Sequence, residues 1–394
     1  MIEEIVGFSI DGRAATDLVP DLLELEVEED IASADVFRAR LAVTTRPDGS
    51  WTYLDDERFR VWKRLAVEAG YPGATDTLVD GYVTHVEVKL LAEGACYLEV
   101  SGMDASAVLD LEHKERAWPN KADHEIAQEI FRAHGLSSVV EDTVARPADS
   151  VATTLQSDTD MRFLRWLAAR SGFECFVRGG VGYFRAPNLS EPPQSPLAIG
   201  VAEHASLVTL ELAVDGTPVT HPEIRRIDPF EKREESASLT SSPWRALGRT
   251  SLAALRGSLP DARALLRRQS PATLQEMQGR ARDAYGAADR FVKVTGEIDA
   301  RAYGAVLRAK RLVTLGGAGE TYSGHYYVTK VRHVFTADGY AQHFEARRNG
   351  LGLTGSESFR PTGRAAVAAS VADFAFGDRV LPDRQTSTTV NGGS

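Results

Sequence analysis

The chain has 394 residues, of which 43% are apolar and 26% charged, with a formal net charge of −11. That length predicts two or three domains, and the acidic balance excludes nucleic-acid binding that works through clustered Lys and Arg. No apolar run approaches the roughly 18 residues that suggest a membrane span.

The acidic start, MIEEIVGFSIDGR, lacks the basic and apolar segments of a secretory signal, so synthesis and assembly in the cytoplasm are expected. Cys96 and Cys175 are the only cysteines. They cannot build a disulfide framework or a multi-thiolate zinc site, and both are expected as buried thiols within strands.

Residues 1–110 carry antiparallel β patterning. Leu23, Leu25 and Val27 alternate with Glu24, Glu26 and Glu28, and Phe37, Ala39, Leu41 and Val43 alternate with Arg38 and Arg40. Further strands are expected at 57–68 and 78–90, the second with Tyr82, Val86 and Val88 opposing His85, Glu87 and Lys89. A hairpin then leads into Cys96, Leu98 and Val100. So many strands suggest a small barrel or sandwich, since closure removes exposed edges.

Residues 111–192 change to an α+β connecting region. Asn120 and Asp123 offer a helix start, Ile126, Ile130 and Phe131 a buried stripe, and Gly135-Leu136 a stop. In QSDTDMRFLRWLAARSGFECFVRGGVGYF, residues 156–184, Ser157 and Asp160 have capping-box spacing. Phe163, Leu164, Leu167 and Ala168 recur at helical spacing, with Arg162, Arg165 and Arg170 free to point outward. Gly172-Phe173 fits a Schellman stop, and Gly179-Gly180 a hairpin turn between Cys175–Val177 and Val181–Phe184.

Residues 193–354 return to β structure, with a helical insertion near 271–288. A polar Ser- and Arg-rich stretch spans 231–270, and Ser270-Pro271 fits a cap followed by proline. Leu274, Met277, Ala281 and Tyr285 continue a helix, and Val292, Val294 and Ile298 restart a strand. Ala337-Asp338-Gly339 sits at the tip of a last hairpin. Residues 355–394 thin into Gly, Ser, Thr and Ala, as expected of a flexible tail that orders only on a partner.

No catalytic, cofactor-binding or metal site stands out. His124 begins an H-E-x-x-Q run, with Gln128 in place of a second zinc ligand. His325 and His333 lie about 26 Å apart along one strand, while His333 could approach His343 across the hairpin. The glycine-rich run 316–324 fits neither a dinucleotide fingerprint nor a P-loop. The acid pairs Glu28-Glu29 and Asp55-Asp56 would each split across a strand, so neither is marked as a glycosidase pair. Phe163 and Trp166 are expected in a core rather than stacked on a ligand.

Four stretches, in order over about residues 1–350, resemble the phage late control D protein family and the amino-terminal hub region of VgrG proteins. They are LLELEVEEDIASADVFRARL, NKADHEIAQEIFRAHGL, residues 156–184, and YYVTKVRHVFTADGYAQHFEARRN. The resemblance implies a contractile-tail baseplate hub that is mainly β with α+β inserts: two small β-barrel domains, 1–110 and 193–354, joined by an α+β linker. Three chains would present six similar barrels, matching a sixfold tail tube to a threefold spike. The implied partners are two further copies, a tail tube protein, a separate spike protein and other baseplate proteins, with no enzyme activity and no cofactor. No short repeat able to form a spike is present. Alternative functions are a VgrG-like carrier of a toxin effector and a tail-tip cell-wall hydrolase.

Overall fold

Alternation of apolar and charged residues turns the first part of the chain into pleated strands with one wet face. In the computed structural model these are β1 (Ile5–Ile10), β2 (Arg13–Ala14), β3 (Leu22–Asp30), β4 (Val36–Val43), β5 (Arg64–Tyr71), β6 (Ala74–Lys89) and β7 (Cys96–Asp104). The connecting region forms α1 (Ser106–Leu109), β8 (His113–Trp118), α2 (Asp123–Ala133), β9 (Ser137–Val140), β10 (Thr154–Thr159), α3 (Asp160–Ser171), β11 (Glu174–Arg178) and β12 (Val181–Arg185). The remainder forms β13 (Gln194–Ala198), β14 (Leu207–Val214), β15 (His221–Ile227), β16 (Glu234–Ser238), α4 (Leu252–Arg256), β17 (Arg263–Leu265) and α5 (Leu274–Asp289). It closes with β18 (Val292–Asp299), α6 (Ala300–Tyr303), β19 (Leu312–Gly316), α7 (Gly319–Tyr322), β20 (Gly324–Thr336) and β21 (Gly339–Arg348). The structure describes residues 4–143, 153–200, 205–228, 231–257, 259–260, 263–265 and 274–360.

Thirteen strands share one sheet, in the order β14-β18-β21-β20-β3-β4-β7-β6-β5-β1-β2, with β19 and then β13 branching from β20. The branch exists because β20 changes partner along its length. Gly324–Tyr327 pair with β19 and Lys330–Thr336 with β3, while β21 holds the other edge. The three largest apolar cores among the described residues divide along the chain, two on the large sheet and one inside the connecting region. One is built on Leu25, Val27, Phe37, Leu65 and Val100, a second on Val292, Val294, Tyr326 and Val331, and a third on Trp118, Phe131, Phe163 and Leu164.

One strand pattern occurs twice, as β3-β4-β7-β6-β5 and as β14-β18-β21-β20-β19. LLELEVEED opens the first with a bulge between Leu22 and Glu24, and LVTLELAVD opens the second with a bulge between Leu207 and Thr209. β6 bulges between Val83 and His85, and β20 between Val328 and Lys330, within the matching runs Tyr82-Val83-Thr84 and Tyr327-Val328-Thr329. Just before β5 and β19, Trp62 and Lys310 sit at φ 68° and 67°. Their amides donate to Val83 O (2.7 Å) and Val328 O (2.9 Å), whose own amides donate back to Lys63 O and Arg311 O (2.9 Å each).

Several local expectations hold. Gly172 (φ 70°) ends α3, and Phe173 N donates to Ala168 O at 2.8 Å, the long bond of a Schellman stop. Gly179 and Gly180, both at positive φ, turn β11 into β12. Met277, Ala281 and Tyr285 form the buried stripe of α5, and both cysteines are buried and free.

Others are corrected. Residues 57–59 form a 3₁₀ turn, so the expected strand at 57–68 begins only at Arg64. On β6 the bulge moves Val83 inside, and Val88, on the same face as the half-buried Val86, lies exposed past the end of the covered part of the strand. Thr159, rather than Ser157, caps α3, because Ser157 is paired within β10. At α2, Asn120 adopts positive φ in the preceding turn, and Glu125 Oε2 accepts from Ala122 N instead. Arg170 turns inward to pair with Asp123, and Trp166 is 45% exposed. The 231–270 stretch contains β16, α4 and β17, while Ser270-Pro271 lies outside the described residues.

Candidate functional site at the junction of the two repeats

The period of β3 that buries Leu25 and Val27 also points Glu29 inward, where it is fully buried. An unpaired carboxylate there would be costly. Arg308 Nε donates to Glu29 Oε1 at 2.5 Å, while Arg178 Nη2 and Ala309 N donate to Oε2 at 2.9 and 3.1 Å. The other Arg308 nitrogens donate to Thr77 O (2.8 Å) and Leu78 O (3.2 Å) on β6. Two residues on, Lys310 Nζ donates to Asp35 Oδ1 at 2.7 Å, with both side chains buried. Asp35 N in turn donates to Asp104 Oδ2 at 2.8 Å. His333 shares a 2.7 Å hydrogen bond with the Tyr340 hydroxyl, and its Nε2 stands 3.7 Å from Glu29, beyond hydrogen bonding.

One charged cluster therefore ties β3, β6, the ends of β4 and β7, the β11–β12 hairpin and the segment before β19. Burial alone would raise Glu29, but Arg308 and Arg178 overcome it and hold the carboxyl well below its ordinary value. Burial pushes Asp35 up to about 6 against the pull of Lys310. His333 is lowered by its burial and stays neutral at neutral pH. Buried ion clusters contribute little net stability, yet breaking one is expensive, which suits them to fixing one geometry among several. Glu29 and His333 are sealed from solvent, while Arg178, Asp35 and Asp104 line a small pocket beside them; what the geometry shows is a cluster that positions its elements.

The residues weighed for chemistry are scattered. His124 Nδ1 lies 3.0 Å from the Thr143 hydroxyl at the start of α2, and His325 Nδ1 lies 3.1 Å from the Thr314 hydroxyl. In the last hairpin His343 faces Arg332, whereas His333 faces Gln342, so the two imidazoles lie on opposite sides of the sheet. Among the described residues, no group of three or more His, Cys, Asp or Glu side chains could hold a metal ion.

Glu28 and Glu29 split across β3 as expected, Glu28 pairing with Lys330 at the surface (2.6 Å). Asp56 instead caps the 3₁₀ turn, accepting from Arg58 N at 2.9 Å. The 316–324 run is a loop around α7. Phe163 is buried, and its ring stacks at 5.9 Å on the half-exposed Trp166. Sequence reading missed Arg178, Arg308, Lys310 and Asp35. The paired YVT runs were the signal that could have found them, because they align the segments that precede β5 and β19.

Comparison with known proteins places the fold. The fold is that of phage tail and type VI secretion proteins. The chain superposes on the 43 kDa tail protein of prophage MuSo2 from Shewanella oneidensis with TM-score 0.64 and 12% identity, over 88% of this chain and 99% of that one. For the tail protein of Neisseria meningitidis MC58 the values are 0.57 and 11%, over 88% and 97%. For the E. coli c3393 protein, a type VI secretion component with structural similarity to the T4 tail proteins gp27 and gp5, they are 0.51 and 13%, over 86% and 76%.

The chain belongs to the Alg8 N-terminal domain family, whose model matches residues 7–337. That family, and not late control D, is the one the match names. No curated protein matches the chain. Among the described residues, no helix is long and apolar enough to cross a membrane.

Proposed function

We propose that the protein is a structural hub of a contractile tail or tail-like injection machine, acting as a homotrimeric adaptor between a sixfold tube and a threefold spike. Residues 1–110 and 193–354 act as two β-barrel units, and 111–192 joins them. A tail tube protein, a separate spike protein and other baseplate proteins are its partners, and assembly rather than catalysis is its task. The observation that carries this reading is the duplicated strand pattern, with β3 of one copy joined to β20 of the other and locked by the Glu29 cluster. A chain that presents one unit twice at a fixed angle lets a threefold assembly offer six like positions. Native mass measurement of the purified full chain tests it. A trimer, alone or with the tube protein added, is expected; a chain that stays monomeric in both conditions overturns the reading.

A further inference from the structure

The duplicated pattern leaves two strand edges open. Within the chain, the second half of β20 covers the outer edge of β3. By the same correspondence, the second half of β6 should cover an edge equivalent to β3, and β14 should be covered by a strand equivalent to β20. Neither occurs among the described residues. Among the described residues β14 pairs only with β18, and the His85–Lys89 part of β6 pairs only with β7. The cost shows in burial: Val27 on β3 is 0% exposed, whereas its counterpart Leu212 on β14 is 37% exposed.

We infer that β14 of one copy pairs antiparallel with the His85–Leu90 segment of the next copy, repeating between chains the β3–β20 contact made within each chain. This rests on the hub reading and names its subunit interface. The register follows by transposition. Val331, His333 and Phe335 face Glu29, Val27 and Leu25. Their counterparts set Val86 against Val214, Val88 against Leu212 and Leu90 against Leu210. On the other face, Lys89 meets Glu211 and His85 meets Asp215. The remaining pair sets Glu87 against Ala213; the three inward pairs are apolar on both sides and both basic side chains of the segment meet acids, although nothing in the transposition requires either match. Val88, Leu90 and Val214 are 42%, 44% and 42% exposed in the single chain, so pairing covers apolar surface that is now wet. β14 also carries no Lys or Pro to guard its edge.

A second part of the contact transposes with the first. Ala309 and Lys310 lie against Glu29 and Asp35 within the chain. Their counterparts Val61 and Trp62, 52% and 45% exposed, then fall beside Val214 of the neighbour, which is 42% exposed, at the edge where β14 meets the start of β18. The charged junction inside the chain is replaced by an apolar one between chains. Because β14 of one copy meets β6 of the next, the contact is head-to-tail, the kind that forms a ring when the rotation between copies closes; on the hub reading it closes after three copies.

The test is a disulfide scan on the full chain carrying both Val88→Cys and Leu212→Cys, oxidised mildly. Val88→Cys with Val208→Cys serves as the control, since Val208 lies in the bulge outside the transposed register. Covalent species that stop at three chains, absent from the control, are expected. In the unlinked protein, Lys89→Glu should abolish the ring and Lys89→Glu with Glu211→Lys should restore it. A native trimer that forms without the disulfide overturns this interface and leaves the hub reading standing. Linked rings of another size keep the strand pairing and overturn the trimer. A chain that stays monomeric and unlinked, both alone and with the tube protein added, overturns both.

Discussion

Trp62 and Lys310 share one backbone conformation and one pair of hydrogen bonds, to Val83 and Val328, although one is a half-exposed indole and the other a buried ammonium. Positive φ costs a side chain about 1–2 kcal/mol, which the two backbone bonds hold in place. At Trp62, replacement by Gly relieves that strain and loses only partial packing against Tyr82. Trp62→Gly should therefore leave the urea midpoint of the single chain nearly unchanged. Lys310→Gly should lower the midpoint clearly, by a loss of about 3–5 kcal/mol of stability, because Asp35 is left buried without its cation.

Glu29 and Asp35 should titrate in opposite senses. Glu29 is held well below 4.5 by Arg308 and Arg178 despite its burial, so its contribution is present above that value and lost as pH falls below it. Asp35 is raised by burial from 3.8 to about 6, so its contribution is complete below 3.8 and lost as pH rises through about 6. Asp35→Asn should remove the decline between those values. Glu29→Gln should cost about 3–5 kcal/mol at neutral pH and flatten the acid limb below the ordinary glutamate range. Thermal midpoints of the variants across acid to neutral pH check both.

Phe163 and Trp166 stack on each other, yet only Phe163 is enclosed. Phe163→Ala should cost about 3–5 kcal/mol, as expected for an aromatic removed from a core. Trp166→Ala should cost about 1 kcal/mol, the ordinary loss outside a core. Denaturation midpoints of the two variants separate them, and equal losses would contradict the burial pattern.

Helix α5 docks on α3 through Gly279, where an added Cβ would lie 2.1 Å from Arg170 O. Gly279→Ala should force the helices apart at a cost of about 1–3 kcal/mol. Amide exchange should speed up along α5 while protection in β3 and β20 is unchanged. Uniform loss of protection would mean that α5 is integral to the sheet's stability.

Strands with strict alternation, such as Val36–Val43, were legible because one period decides which face is buried. β6 was misread because its bulge at Thr84 shifts the inward set by one residue, and single-strand periodicity carries no trace of a partner's register. The two helix caps each lie two residues beyond the expected position for a related reason: Ser157 has the right chemistry but is committed to β10. The charged cluster was hardest to see. Glu29 looks like one acid in an acidic strand, and Arg308 lies nearly 280 positions away (a sequence separation of 279). Only aligning the two YVT runs brings its surroundings together.

Electron microscopy of the purified full chain, analysed for rotational symmetry, tests the central claim most directly. The account predicts a threefold ring whose strand layer carries a strong sixfold component, because each chain contributes the same pattern twice. Single-copy particles, twofold particles or a threefold ring with no sixfold component in that layer would contradict it.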